Sequence, residues 1–249
     1  MSKKLALVFT LSLMIFLLAG SVGCAESLFG SLTLGLEKNI GLYNYQSVTM
    51  EKRVVQLPPA KAEHLNELFE RLVSHSARRN ELHFRLTVIR DDSVNAFALP
   101  GGYVFVNTGL LSYVKNDSEL AGVLGHEIAH IDRSHSMKSI YRSAGISMAL
   151  VLLLNNDNND DARRKQIFSE IAGVSMRLAQ LGYSRNAEFE ADRYGLAIME
   201  KSGYNKQDLL NFWRRFRAQS AEPEQGKAFT ILSTHPPTSE RIRQIESLP

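Results

Sequence analysis

The chain has 249 residues, enough for one sizeable domain or two small ones. Hydrophobic residues at 44% and charged residues at 22% are the proportions of an ordinary globule, which argues against a disordered or fibrous protein. The net charge of +3 carries no long basic tract, so nucleic acid is not expected as a partner; Arg163, Arg164 and Lys165, like Arg214, Arg215 and Arg217, read as solvated helix faces.

Lys3 and Lys4 precede the apolar run "LALVFTLSLMIFLLAG" and then "SVGC", which ends at Cys24, the only cysteine. Residues 1–24 read as a signal peptide. Small residues before a lone cysteine resemble a bacterial lipobox, although Ser21 stands where leucine is commoner. Cys24 is thus the expected lipidation site and its lipid the expected membrane anchor. Plain secretion and an uncleaved anchor are the alternatives. Each leaves residues 25–249 at work outside the cytoplasm, on the periplasmic side of a cell envelope, with no disulfide available.

Residues 25–58 are mixed and read as short helices and a loop ending at Pro58-Pro59. From Lys61 to about Arg78, Leu65, Leu68, Phe69, Leu72 and Val73 fall at helical spacing and predict an amphipathic helix. "ELHFRLTVIR" alternates, with Leu82, Phe84, Leu86 and Val88 on one face of a half-buried strand. "NAFALPGGYVFVNTGLL" reads as an extended piece, a turn at Pro100-Gly101-Gly102, and a strand through Tyr103 to Val106. The next helix opens at Asn116 or Asp117, either of which can cap it. It turns Leu120, Val123, Leu124, Ile128 and Ile131 inward and runs to about Ser136.

Inside that helix lies "GVLGHEIAH", Gly122 to His130. Residues four apart share a helix face, so His126 and His130 can aim two imidazoles at one metal ion. Glu127 flanks the same point, where it can serve as general base toward a metal-activated water. Zinc suits imidazole and carboxylate donors. The plainer alternative is a buried helix that carries two imidazoles by accident.

A third ligand is needed, and "YSRNAEFEADRYGL" offers one. Ser184 can cap a helix that places Glu188 and Asp192 on one face. Glu188 can then bind the metal while Asp192 accepts a hydrogen bond from the second nitrogen of a ligand histidine. Glu190 is the alternative ligand, and an ordinary acidic helix face is the plain reading.

"HEIAH" with "EFEAD", preceded by "YSR", is similar to the motifs of the zinc metallopeptidase family of CAAX prenyl endopeptidases and HtpX-type heat-shock proteases, family forty-eight of the metallopeptidases. "NAFALPGGYVFVNTGLL" and "STHPPTSERI" resemble further family stretches, so the likeness covers most of Asn95 to Ile242. It is greatest to the secreted bacterial branch of BepA- and LoiP-like proteases. The resemblance implies an α+β fold of the gluzincin type, mostly helical with a small sheet beside the HExxH helix. It implies one zinc ion held by His126, His130 and Glu188, Glu127 as base, and Asp192 behind His126. Unlike the membrane-embedded relatives, this chain has no internal apolar run near the roughly 20 residues needed to span a bilayer.

Residues 25–249 thus read as one metallopeptidase domain with a helical insertion at about 140–181. Within it "AGISMALVLLL" (Ala144 to Leu154) is expected as core, or else as a lid or a membrane-lying surface. His235, stiffened by the two prolines after it, is a candidate catalytic residue: it could stabilise the oxyanion or close the open coordination position, or it could be structural. Arg185 and Tyr183 are further oxyanion candidates. His64, His75, His83 and His135 form no constellation and read as surface residues. "NAFALP", with Asn95, Phe97 and Leu99, is the expected edge strand for an extended peptide substrate. The expected function is a zinc endopeptidase of the bacterial cell envelope acting on misfolded or unassembled proteins. The alternative is a latent or non-proteolytic assembly factor that keeps the metal fold.

Overall fold

A computed structural model of the chain describes residues 33–142, 169–170, 173, 176–177, 182–220, 235 and 239–248. The expected signal peptide with Cys24, and most of the 140–181 insertion with its "AGISMALVLLL" helix, lie outside the described residues. The chain divides into two compact units, residues 1–37 and 38–249. Of the first only 33–37 is described, and it is helical. The second unit holds the sheet and the remaining described helices.

Helix α1 (38–51) is a single element where short helices were expected. Pro58 and Pro59 end the connection after it, and α2 (Pro59–Val73) buries Leu65, Leu68, Phe69, Leu72 and Val73, the predicted stripe. The helix stops earlier than its periodicity suggests, because 74–80 is drawn into a turn. There the Asp132 carboxylate accepts hydrogen bonds from Ser76 Oγ at 2.6 Å and the Ala77 amide at 2.9 Å.

Three strands come next: β1 (Arg85–Ile89), β2 (Ala96–Leu99) and β3 (Tyr103–Asn107). The sheet order is β1-β3-β2, with β1 parallel and β2 antiparallel to β3. Register sets Thr87, Phe105 and Phe97 side by side on one face. On that face Ile89, Leu99 and Phe105 pack with Val48 of α1, and Phe97 stacks on Phe105 at 5.1 Å between ring centroids. This is why β1 departs from the expected alternation: Thr87, Val88 and Ile89 are all buried, since both faces of the sheet are covered. The opposite face carries the small residues Ala96, Ala98, Val104 and Val106, all buried, and α4 packs against β2 there. The outer edge of β1 is occupied, since the Val55 amide donates to Val88 O and the Arg90 amide to Arg53 O. Among the described residues nothing pairs with the outer edge of β2.

A short helix α3 (Thr108–Tyr113) leads to α4 (Asp117–Asp132), whose cap is Asn116: its side chain accepts from the Glu119 amide at 2.9 Å. Glu119 in turn accepts from the Lys115 amide and, bidentately, from Arg215 at 2.7 Å on each oxygen. α4 does not run to Ser136. Ser134 adopts a φ of 52°, breaking the helix, and α5 (135–142) starts in a new direction. The remaining described helices are α6 (Arg185–Lys201), capped by Ser184, α7 (Lys206–Ser220) and α8 (Ser239–Ser247). α4 packs chiefly against α6 and α7, while α8 packs on α6 and α7. Among the described residues no helix is long and apolar enough to cross a membrane. The architecture is the expected one, mostly helical with a small sheet beside the HExxH helix.

Candidate metal centre

Two glycines let α4 and α6 approach backbone to backbone. A Cβ on Gly125 would lie 2.8 Å from Gly195 O, and one on Gly195 would lie 2.7 Å from the His126 N and Cα atoms. Any larger residue at either place would push the helices apart. The contact sits one residue before His126, so it fixes the spacing between the face carrying His126 and His130 and the face carrying Glu188 and Asp192.

His126, His130, Glu188 and His235 converge in the interior, each offering a donor atom within 4.8 Å of the others. His126 Nε2 lies 3.0 Å from His130 Nε2 and 3.2 Å from His235 Nδ1, and His235 Nδ1 is 3.1 Å from both Glu188 oxygens. All four side chains are at most 6% exposed. Three ring nitrogens aimed at one another repel unless positive charge sits among them, as a proton or a cation. The set of three imidazoles and a carboxylate is one that borderline-soft divalent metals take.

Electrostatics follow from that crowding. Burial alone would lower the His126 pKa, yet the Asp192 and Glu188 carboxylates outweigh it and raise the ring to about 9. His130 is held well below the usual imidazole range by burial and the positive His126 beside it. Burial opposes ionisation of Glu188, but His235, His126 and His130 hold its carboxyl well below the usual range. Glu127 goes the other way, because burial raises its pKa despite His235 and His126 nearby and the Ala98 amide. Neither Glu127 oxygen makes a hydrogen bond of ordinary geometry, and His235 Nε2 lies 3.4 Å from its Oε1. A buried carboxylate left this way is costly unless a further polar group belongs between it and the cluster.

Behind the four donors lie two sets of supporting contacts. His126 Nδ1 is 3.1 Å from Asp192 Oδ1. Arg241 grips that same carboxylate through Nε at 2.7 Å and Nη2 at 2.6 Å, and reaches Glu188 Oε2 through Nη1 at 3.0 Å. On the other side His130 Nδ1 meets His135 Nδ1 at 2.9 Å, and His135 Nε2 meets Glu190 Oε2 at 3.1 Å. Arg133 donates to the other Glu190 oxygen at 2.5 Å. Tyr183 stacks on the His130 ring, centroids 4.3 Å apart, and its hydroxyl shares a 2.5 Å hydrogen bond with Ser136 Oγ.

The structure therefore brings His126, Glu127, His130, Glu188, Asp192 and His235 together, with Tyr183 against the cluster. Arg185, at the first position of α6, is exposed. Glu190, the alternative third ligand, faces Arg133 and His135 and stands outside the donor set. His135 is not a surface residue: it is 3% exposed, whereas His64, His75 and His83 are exposed. The reason is the break at Ser134. On a continued helix His135 would point about 140° away from His130, since five residues are not a whole number of turns. The sequence reading also missed Arg241, which is buried beside Ile242 and Ile245 on α8 but stands two residues from the exposed Arg243, so nothing in the local sequence sets it apart. Asn95, Phe97 and Leu99 do lie on the edge strand, but their backbone groups turn inward. The Asn107 amide donates to Asn95 O, and the alternation of an antiparallel pair then directs Phe97 and Leu99 at β3. The outward-facing backbone belongs to Ala96 and Ala98.

The model for peptidase family M48 matches residues 59–248. Among curated relatives, the mitochondrial metalloendopeptidase OMA1 of Schizosaccharomyces pombe is 32% identical over 221 residues, covering 88% of this chain and 62% of the relative. The beta-barrel assembly-enhancing protease of Escherichia coli is 30% identical over 221 residues, covering 85% of this chain and 43% of the relative. The metalloprotease YcaL of the same organism is 30% identical over 158 residues, 64% of this chain and 59% of the relative. The chain thus spans about two fifths to three fifths of the length of these relatives.

Proposed function

The chain belongs to peptidase family M48, and on that premise we propose that it is a zinc-dependent endopeptidase of the bacterial cell envelope, cutting misfolded or unassembled proteins. The observation that carries this reading is the buried convergence of three imidazoles and a carboxylate beside Glu127, whose oxygens make no hydrogen bond of ordinary geometry. His126, His130 and Glu188 would hold the metal. When bound, zinc supplies Lewis acidity that lowers the pKa of water and polarises a carbonyl.

The remaining chemistry belongs to the chain. Glu127 accepts the proton of the attacking water and returns it to the leaving amine; its raised pKa makes it a better proton acceptor than an ordinary carboxylate. Asp192 holds the Nδ1 side of His126, and Arg241 holds Asp192. The α4 face that bears Glu127 packs against β2, so a peptide added along the outer edge of β2, unpaired among the described residues, would run past the base. Pairing through main-chain groups selects little by side chain, which fits unfolded polypeptide as the substrate class. Arg185 remains the oxyanion candidate on an exposed helix start. A Tyr183 hydroxyl would have to leave Ser136 to serve that task.

The envelope location rests on the signal-peptide pattern with Cys24, and on similarity to a relative named for beta-barrel assembly. A second reading, a latent enzyme or an assembly factor, is favoured by one observation: His235 stands inside the donor set rather than at its rim. It could close the position that an attacking water needs, or stabilise the oxyanion once displaced.

The test is cleavage of an unfolded protein by the purified chain beside Glu127→Gln, with zinc assayed in both. Cleavage by the parent and zinc without cleavage in the variant support the peptidase. Zinc in both with cleavage in neither, followed by cleavage from His235→Ala, supports latency. A parent without metal overturns the reading.

A further inference from the structure

Beyond the donor set, the least expected feature of the interior is the line His130, His135, Glu190, Arg133. His135 is buried, Glu190 is 27% exposed and Arg133 37% exposed, so the line runs from the metal centre to the surface. Each of its contacts has hydrogen-bond length: 2.9 Å between the two Nδ1 atoms, 3.1 Å from His135 Nε2 to Glu190 Oε2, and 2.5 Å from Arg133 Nε to Glu190 Oε1.

The polarity of this line is forced from its outer end. Arg133 only donates. It occupies one Glu190 oxygen, and the other can only accept, so His135 must present Nε2–H to it. A neutral His135 then has a lone pair at Nδ1, and the 2.9 Å contact is a hydrogen bond only if His130 donates Nδ1–H. That leaves His130 Nε2 as a lone pair, and Nε2 is the atom that faces His126 and the other donors. Were the proton on Nε2 instead, His130 could not serve as a metal ligand.

We propose that His135 and Glu190 are positioning residues that select the metal-binding tautomer of His130, with Arg133 fixing the orientation of Glu190. The proposal rests on the metal-centre reading above and extends it to three residues outside the donor set. Two elements make it possible. The φ of 52° at Ser134 swings His135 back beneath His130, and α6 presents Glu190 two residues from Glu188 on its outward side. Tyr183 closes the remaining side of the His130 ring by stacking, so the ring is held in plane as well as in tautomer.

The test exploits an asymmetry in Glu190→Gln. A glutamine must direct its oxygen at either Arg133 or His135 and its NH2 at the other, so one contact becomes donor against donor. Zinc affinity is measured by competition with a chromogenic chelator, and the His130 tautomer by ring nitrogen chemical shifts. Glu190→Gln and His135→Ala should each weaken zinc binding roughly 10- to 100-fold. Adding Arg133→Ala to Glu190→Gln should restore most of it, because the amide oxygen is then free to accept from His135. A merely structural role predicts no such rescue. Parental affinity in Glu190→Gln, or an Nδ1–H tautomer of His130 that survives it, overturns the proposal. Glu190 is partly exposed, so this variant tests the relay even where His135→Ala fails to fold. A parent that holds no zinc overturns the metal reading, and the tautomer of His130 then decides the relay by itself.

Discussion

Arg241 and Asp192 meet in the interior through two parallel hydrogen bonds, at 2.7 and 2.6 Å, with each side chain 3% exposed. The third guanidinium nitrogen reaches Glu188 at 3.0 Å. One planar cation thus holds a donor of the metal set and the carboxylate behind His126. A lysine keeps the charge but not the fork. Arg241→Lys is expected to cost about 3 kcal/mol of stability, as breaking a buried charged network does, and to weaken zinc binding. Urea unfolding and chelator competition measure the two. Parental values in both would mean that charge alone suffices.

Gly195→Ala reads the contact between helices. In an exposed helix interior this change stabilises by about 0.5–1 kcal/mol, since alanine is the better helix former. Here the new Cβ would stand 2.7 Å from the backbone of His126, which cannot swing aside. The expected sign is therefore reversed, a loss of about 1–3 kcal/mol with weaker metal binding. A stabilised variant would show that the two helices are free to separate.

Ala96→Pro addresses the substrate edge. Its amide faces away from β3, so a proline removes one outward donor without breaking the β2–β3 ladder. Ala98 is the poorer choice, because its amide also bears on Glu127. The expected result is a rise in KM for an unfolded substrate of about tenfold, the worth of one hydrogen bond of roughly 1.4 kcal/mol, at unchanged zinc content. An unchanged KM would place the peptide elsewhere.

Glu119 supplies the pH dependence. Burial opposes its ionisation, but Arg215 and the Lys115 amide lower its pKa below the ordinary 4.5. A carboxyl lowered on folding contributes stability that is present above its unfolded pKa and fades as pH falls through the folded value. Glu119→Gln should therefore destabilise the protein by about 1–3 kcal/mol at pH 7, with the gap to the parent closing as the pH falls below the ordinary 4.5 and through the lowered folded value. Unfolding curves at pH 7 and in the acid range decide it. A gap that persists in acid would assign the effect to packing rather than charge.

The sequence showed most clearly what is written locally. His126 with His130, and Glu188 with Asp192, are i, i+4 pairs on capped helices, so their shared faces could be read from spacing. The stripe of α2 and the caps Asn116 and Ser184 were legible for the same reason. What stayed hidden depends on distant partners or on a broken period. Arg241 looks like one more helical arginine until α8 docks on α6. His135 was lost because continuing the α4 periodicity through Ser134 turns it outward. The inward backbone of Phe97 and Leu99 could not be known before β2 was set in register with β3, for a shift of one residue exchanges every inward group for an outward one.

The four donors reach the cluster from three stretches of chain, and His235 comes 109 residues after His126. At about 5–20 residues per second of synthesis, roughly 5–20 s separate the emergence of the first imidazole from that of the last. During that interval the half-made chain carries two of the histidines but neither the ring that crowds them nor the arginine that steadies Asp192. Assembly of the pocket is thus tied to the arrival of its last segment, and a chain cut short before residue 235 would carry the HExxH signature without the complete centre.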